Sequence, residues 1–193
     1  MKKVYTCFCT DVIHEGHLNI INQAQKYGEV IVGVLCDYQM IRYNRFPTIP
    51  FKERVSMVEK LPGVSRVVVQ EQIMYDEILE TIRPDYVIHG DNWKEYPENA
   101  IRENVLYNLG LYGGELIEVP YTWNETIRKI DEMSREKLAM PEFRRKRLRE
   151  LLNMCDIVKT IEVHSGLTGL IAEKTIVKAE DGLDQFDAMW ISS

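Results

Sequence analysis

Five short apolar runs recur along the first 140 residues and are separated by segments of helical periodicity. The runs cover residues 4–9, 30–35, 65–69, 84–89 and 116–119. Helices are predicted over residues 18–24, 51–60, 75–82, 100–112 and 125–138, and a loop over residues 41–50. Continuous apolar runs are typical of parallel strands covered on both faces, so the alternation predicts an α/β fold with a five-stranded parallel sheet. Ligands of such sheets bind outside the carboxyl ends of the strands.

The strongest chemical signal follows the first strand, where His14-Glu15-Gly16-His17 opens the first predicted helix. Backbone N–H groups and the helix dipole favour an anion there, and a glycine permits close approach of a nucleotide. Histidines at this position can donate to phosphate oxygens as charge builds up in a transition state. The same spacing also fits a simple helix cap or a polar loop, but its place between a strand and a helix favours an anion site.

Composition and charge narrow the classes of function. The chain of 193 residues has 45% hydrophobic and 28% charged residues and a net charge of -6, which argues against general nucleic-acid binding and a basic membrane patch. No apolar run approaches the roughly 18 residues of a membrane span, and the start lacks a signal-peptide cleavage pattern. Cys7, Cys9, Cys36 and Cys155 have no zinc spacing. We therefore expect reduced thiols, no protein metal site and a cytoplasmic protein.

The composition changes near Pro141. Residues 144–149 are strongly basic and helical in pattern, which indicates a solvated helix face or a contact with phosphate or a partner. Strands are predicted again at residues 157–161 and 186–191, and the chain then ends within an apparent element, as a truncated chain would. We divide the sequence into a first domain at residues 1–140, a basic helical linker at 141–156 and a further segment at 157–193.

Four separated motifs carry a family resemblance. They are residues 9–21 around the two histidines, the set Tyr43, Arg45, Pro47 and Arg54, residues 83–94, and residues 119–122. In this order they resemble the cytidylyltransferase branch of the HxGH nucleotidyltransferase superfamily, and in particular the domain fused ahead of phosphoenolpyruvate mutase in bacterial phosphonate pathways. Residues 157–193 resemble the start of the mutase (β/α)₈ barrel.

The resemblance implies a Rossmann-like nucleotidyltransferase fold and CTP-dependent transfer of CMP to a small phosphonate, with release of pyrophosphate and with Mg²⁺ on the phosphates. It implies His14 and His17 as catalytic residues and a homodimer. It also implies nucleotide contacts from Cys9, Thr10, Asp11, Gly16, Arg42, Arg45, His89, Gly90, Asp91, Trp93, Tyr121 and Thr126. Plain structural roles stay open for three of these: a turn for Asp91, packing for Trp93 and a strand-end position for His89.

Two segments depart from the family pattern. Asn44 replaces a lysine, for which Arg42 could substitute. Residues 124–128 replace a hydroxyl-rich phosphate segment, in which only Thr126 keeps a hydroxyl and Glu125 places a negative charge near the expected phosphates, where Arg128 could offset it. Three alternatives therefore stay open beside a phosphonate cytidylyltransferase: a glycerol-3-phosphate-type acceptor, ATP in place of CTP, and a nucleotide-binding module without turnover. A mutase activity is not expected, because two strands are too few for an eight-stranded barrel.

Overall fold

A computed structural model describes residues 1–9, 11–42, 47–95, 98–122, 124–179 and 182–192. Its central feature is the predicted parallel sheet. The strands are β1 (Lys3–Phe8), β2 (Glu29–Leu35), β3 (Arg66–Gln70), β4 (Tyr86–Gly90) and β5 (Glu115–Val119). Their order is β3-β2-β1-β4-β5 with every pair parallel. The order reverses between β1 and β4, and this switch point is where open α/β sheets bind ligands.

Helices cover both faces of the sheet. They are α1 (Glu15–Ala24), α2 (Asp37–Arg42), α3 (Phe51–Glu59), α4 (Asp76–Ile82), α5 (Asn99–Gly110) and α6 (Glu125–Ala139). Successive strand residues point to opposite faces, so Tyr5 packs in a core with α4 and α5, whereas Val4 packs in a second core with α1 and α3. The buried residues of the two cores fix the sheet and hold the amino end of α1 beside the carboxyl end of β1.

The predicted loop at residues 41–50 was wrong at its start, because α2 continues to Arg42. A tertiary contact that periodicity does not reveal fixes this short helix. The buried guanidinium of Arg54 donates to Asp37 Oδ1 at 2.5 Å and to the Leu35 carbonyl at 3.0 Å. The loop prediction otherwise includes residues 43–46, which lie outside the described part of the chain.

The C-terminal part adds a helix and two small sheets. Its elements are α7 (Pro141–Met154), β6 (Thr160–Val163), α8 (Gly166–Lys174), β7 (Ile176–Ala179), β8 (Gly182–Gln185) and β9 (Ala188–Ile191). The predicted basic helix is α7, with proline at its start. Strands β6 and β9 pair in parallel, whereas β7 and β8 form an antiparallel hairpin that the sequence pattern did not predict.

The strand predicted at residues 157–161 was wrong in its start. Pairing with β9 begins only at Thr160, because Lys159 N donates to the Asp187 carboxylate at 2.8 Å and closes the end of the sheet. Leu183 of β8 packs against the core that contains Tyr5, so the hairpin contacts the first domain. Within the described residues, no helix has the length and apolar character needed to cross a bilayer.

Candidate active site

A cavity of about 250 Å³ opens at the carboxyl ends of β1 and β4, beside the start of α1. Eight residues that the sequence predicts for the site line it: Cys9, His14, Gly16, His17, His89, Gly90, Trp93 and Tyr121. They come from the HxGH segment, from β4 and the turn after it, and from the segment after β5. The cavity therefore brings together three of the four sequence motifs that lie far apart along the chain.

The two histidines of the HxGH segment form the start of α1. His14 is the N-cap residue, and its Nδ1 accepts the Gly16 N–H at 3.1 Å, while His17 Nδ1 accepts the His14 N–H at 3.3 Å. The two ring centroids lie 4.0 Å apart. An Nδ1 atom that accepts a hydrogen bond leaves the proton of a neutral imidazole on Nε2. Both rings are thus fixed as Nε2–H donors in a cavity at a helix N-terminus.

Burial lowers the pKa of His14 below its usual range. A lower pKa favours the neutral ring, which the contact between Nδ1 and Gly16 requires. Gly16 is needed for the same contact, because a Cβ there would lie 2.9 Å from His14 Cε1. The close packing of His17 against Phe8, with ring centroids 4.7 Å apart, fixes the second ring from the sheet side.

His89 and Trp93 form an aromatic stack that also lines the cavity. His89, in β4, lies parallel to Trp93 with 3.7 Å between ring centroids and 11° between planes. His89 Nδ1 lies 2.7 Å from the Gly90 carbonyl oxygen. Because a carbonyl only accepts, Nδ1 is the donor. Burial lowers the pKa of His89. This histidine therefore presents the opposite tautomer to His14 and His17.

Glu118 of β5 holds the buried Trp93. The indole Nε1–H donates to Glu118 Oε1 at 2.9 Å, and Arg102 of α5 donates to both carboxylate oxygens at 2.9 Å. The hydrogen bond from Arg102 makes the largest contribution to a pKa of Glu118 lowered to about 2. The hydrogen bond from Trp93 also lowers this pKa, whereas burial opposes the shift. Glu118 and Arg102 were missed by sequence reasoning, since a single acidic residue in a strand and an arginine in a helix carry no motif.

Asp11 lies beside the cavity and organises loops. Its Oδ2 accepts the backbone N–H groups of Thr48 and Ile49, and its Oδ1 lies 3.8 Å from Arg54 Nε. Arg54 is only 2% exposed. Asp11 and Arg54 thus tie the first loop to the segment that precedes α3, and neither lines the cavity.

Two further predicted residues lie outside the cavity lining. Asp91 Oδ1 accepts the Tyr121 N–H at 2.9 Å, which is the turn role left open by the sequence. Thr126 is exposed on the first turn of α6. Thr10 and Arg45 lie outside the described residues, and the structure describes only the backbone of Arg42, at the end of α2.

The segment that replaces the hydroxyl-rich motif has its own contacts. Asn124 accepts the Ile127 N–H at 2.9 Å and donates to Glu15 at 2.7 Å, so it caps α6 and ties it to α1. Arg128 pairs with Glu125 and Glu132 along the exposed face of α6. Within the described residues, the positive charge of Arg128 is therefore paired with carboxylates of its own helix.

Mg²⁺, which the resemblance implies, has no protein cage among the described residues, since they contain no group of three or more histidine, cysteine or acidic side chains suited to a metal. A Mg²⁺ ion commonly binds through substrate phosphates with few protein ligands.

Comparisons with known proteins agree with this geometry. Three curated relatives illustrate the range of matches. The Bifunctional protein HldE of Desulfatibacillum aliphaticivorans is 30% identical over 62% of this chain and 24% of its own length. An ethanolamine-phosphate cytidylyltransferase of Arabidopsis thaliana is 33% identical over 57% of this chain and 28% of its own length. An FAD synthase of Methanohalobium evestigatum is 31% identical over 52% of this chain and 66% of its own length. The chain therefore matches about a quarter of the first two relatives and just under two thirds of the third.

A solved structure supports the fold alone. The lipopolysaccharide core biosynthesis protein of Thermoplasma volcanium has a TM-score of 0.54 and 18% identity, and the match covers 64% of this chain and 99% of that one. The sequence profile of the Cytidylyltransferase-like family matches residues 5–130, more than half of the chain and the whole of the predicted site. With its HxGH cavity at the switch point of a Rossmann-like sheet, this chain belongs to the Cytidylyltransferase-like family of nucleotidyltransferases.

Proposed function

We propose that this chain transfers CMP from CTP to the phosphonate or phosphate oxygen of a small acceptor and releases pyrophosphate. The paired His14 and His17 carry the proposal, because backbone N–H groups fix both rings as Nε2–H donors, with ring centroids 4.0 Å apart, at the positive end of α1. Such an arrangement suits a triphosphate on which charge develops.

The reaction needs no covalent intermediate with the protein. An acceptor oxygen attacks the α-phosphorus of CTP, a new P–O bond forms, and the bond to pyrophosphate breaks. His14 and His17 donate to phosphate oxygens while negative charge builds up on them. Positioning and preorganised donors supply the rate enhancement in such a mechanism.

CTP is the proposed nucleotide and ATP the alternative. The family name and the match to an ethanolamine-phosphate cytidylyltransferase favour CTP. The match to an FAD synthase and the lack of any base-reading atom in the HxGH motif keep ATP as the second candidate. Mg²⁺ is proposed to enter with the triphosphate.

A small phosphonate, such as 2-hydroxyethyl- or 2-aminoethylphosphonate, is the proposed acceptor, and a phosphate ester of similar size is the alternative. The resemblance of residues 157–193 to a phosphoenolpyruvate mutase supports this choice. Strands β6 and β9 are parallel and α8 lies between them in sequence, as in one β/α unit of a barrel.

Pyrophosphate release tests the proposal. CTP, UTP, ATP and GTP are each incubated with Mg²⁺ and with a panel of aminoethyl and hydroxyethyl phosphonates and phosphates and glycerol 3-phosphate. We expect release that depends on both CTP and an acceptor. Tight nucleotide binding without release for any combination would instead support a binding module.

A further inference from the structure

The part of the cavity lining that comes from β4 contains a hydrogen-bond acceptor. His89 Nδ1 donates to the Gly90 carbonyl at 2.7 Å, so the remaining ring nitrogen of the neutral histidine, Nε2, carries a lone pair. His89 lines the cavity, and no residue that the structure describes donates to this Nε2. The cavity lining thus includes two histidines with an Nε2–H donor and a third histidine with an Nε2 acceptor.

Three side chains hold the acceptor in place. The plane of Trp93 stacks on His89, Glu118 accepts the Trp93 indole N–H, and Arg102 clamps both oxygens of Glu118. His89 and Glu118 are also register partners on neighbouring strands, so their side chains share one face of the sheet. Arg102 acts on Trp93 and His89 through Glu118, which makes it a positioning residue.

We propose that His89 Nε2 accepts an N–H from an amino group of one of the two substrates, and that Trp93, Glu118 and Arg102 position it for this contact. Two substrates can supply such a donor: the exocyclic amine of a cytosine or adenine base, or the amine of an aminoethyl acceptor. A carbonyl or ether oxygen in the same place would only accept and would leave His89 without a donor. The inference rests on the proposed function for its choice of substrates.

Matched substrate pairs identify the source of the amino group. CTP and UTP differ at the 4-amino group, and aminoethyl and hydroxyethyl phosphonates differ at the terminal group. Binding of each compound is measured by titration calorimetry, and turnover by pyrophosphate release. We expect the wild-type protein to prefer the amino member of one pair by about tenfold, since the member without the amine leaves the His89 acceptor without a hydrogen bond. The pair that shows the preference identifies the donor.

Variants then assign the preference to His89. His89→Phe keeps an aromatic ring against Trp93 but removes the acceptor, so the preference should fall to about threefold or less. His89→Gln retains an acceptor oxygen and should restore part of it. A preference that is absent in the wild-type protein, or unchanged in His89→Phe, overturns the inference.

The positioning residues have their own readout. Glu118→Gln keeps an oxygen for the Trp93 indole but loses the ion pair with Arg102, so it should raise the KM of the amino substrate about threefold to tenfold with kcat nearly unchanged. Glu150→Gln, which removes the carboxylate partner of the exposed Lys146 on α7, is the control and should change neither value. Equal effects of both variants on KM would contradict the positioning role, as would a Glu118→Gln variant that lowers the melting temperature without changing KM.

Failure of the inference and failure of the proposed function can be told apart. Absence of pyrophosphate release with every nucleotide and acceptor refutes the function, whereas the amino preference is read from binding. Release that continues without an amino preference refutes only the inference.

Discussion

Single residues in this protein combine structural and chemical roles. His14 and His17 use Nδ1 to close the start of α1 and thereby leave Nε2–H as the donor in the cavity. The two readings of the HxGH segment that the sequence left open, helix cap and anion site, are therefore compatible. A test of catalysis must preserve the cap while it removes the imidazole.

His14→Asn and His17→Gln meet this requirement, because asparagine is a strong N-cap residue and glutamine fits the third helical position of a capping box. We expect each variant to lower turnover by about 100-fold or more, the effect of removing one preorganised donor to developing charge. Thermal unfolding should change little. Full activity in a protein carrying both substitutions would contradict a catalytic role for this pair.

The lowered pKa of Glu118 predicts that the stability of the fold depends on pH. Its pKa is lowered from about 4.5 to about 2 in the folded protein, chiefly by the Arg102 hydrogen bonds. The ionised group therefore stabilises the fold fully above its unfolded pKa, and this stabilisation is lost as pH falls through the window from about 4.5 to about 2. Urea unfolding should show that Glu118→Gln costs on the order of 2 kcal/mol at pH 7, about half as much near pH 3 and little near pH 2. A cost independent of pH would show that the ion pair does not act in this way.

At the scale of elements, Arg54 joins three segments around the site. Its guanidinium contacts Asp11 after β1, the Leu35 carbonyl at the end of β2, and Asp37 at the start of α2. Its Cζ also lies 5.3 Å from the Phe51 ring at the start of α3. A buried cation with these partners fixes the relative positions of the loops beside the cavity.

Arg54→Met should therefore destabilise the protein by about 3–5 kcal/mol, because it leaves partly buried carboxylates without their cation. Arg128→Met is the matched control, since its two partners lie on the exposed face of α6. The control should cost about 1 kcal/mol or less. Urea unfolding of both variants measures the difference, and equal costs would contradict the account of Arg54.

The sequence predicted elements well where the pattern was local. The five strands and the helices after them have continuous apolar runs or helical periodicity, and the structure confirms them. The short helix α2 and the β7–β8 hairpin were missed, because α2 depends on Arg54 seventeen residues beyond Asp37 and the hairpin lacks a regular pattern. The same reason explains why Glu118 was missed: its meaning comes from Trp93 and Arg102, which lie on other elements.

At the scale of the whole molecule, the C-terminal part leaves apolar side chains exposed. Leu167, Trp190 and Ile191 are 68%, 67% and 80% exposed. Its contact with the first core includes Leu183. Large exposed apolar surfaces and unpaired strand edges favour association.

Removal of the residues after Asn153 should therefore reduce self-association and leave nucleotidyl transfer unchanged. The variant keeps all residues that line the cavity and retains the buried Leu151 of α7. Light scattering of the two chains measures their size, and pyrophosphate release measures activity. A shortened chain that no longer folds would show that the C-terminal part belongs to the core of the first domain.

We propose that the HxGH cavity forms a nucleotidyl bond to a small phosphorus-containing acceptor. Phosphorus NMR of CTP, Mg²⁺ and each acceptor, incubated with the protein, tests it most directly. We predict a new P–O–P resonance pair from CMP joined to the acceptor, in step with pyrophosphate, and its loss in the protein carrying both His14→Asn and His17→Gln. A spectrum that shows only the starting compounds with every nucleotide and acceptor, or the same product from the double variant, would contradict the claim.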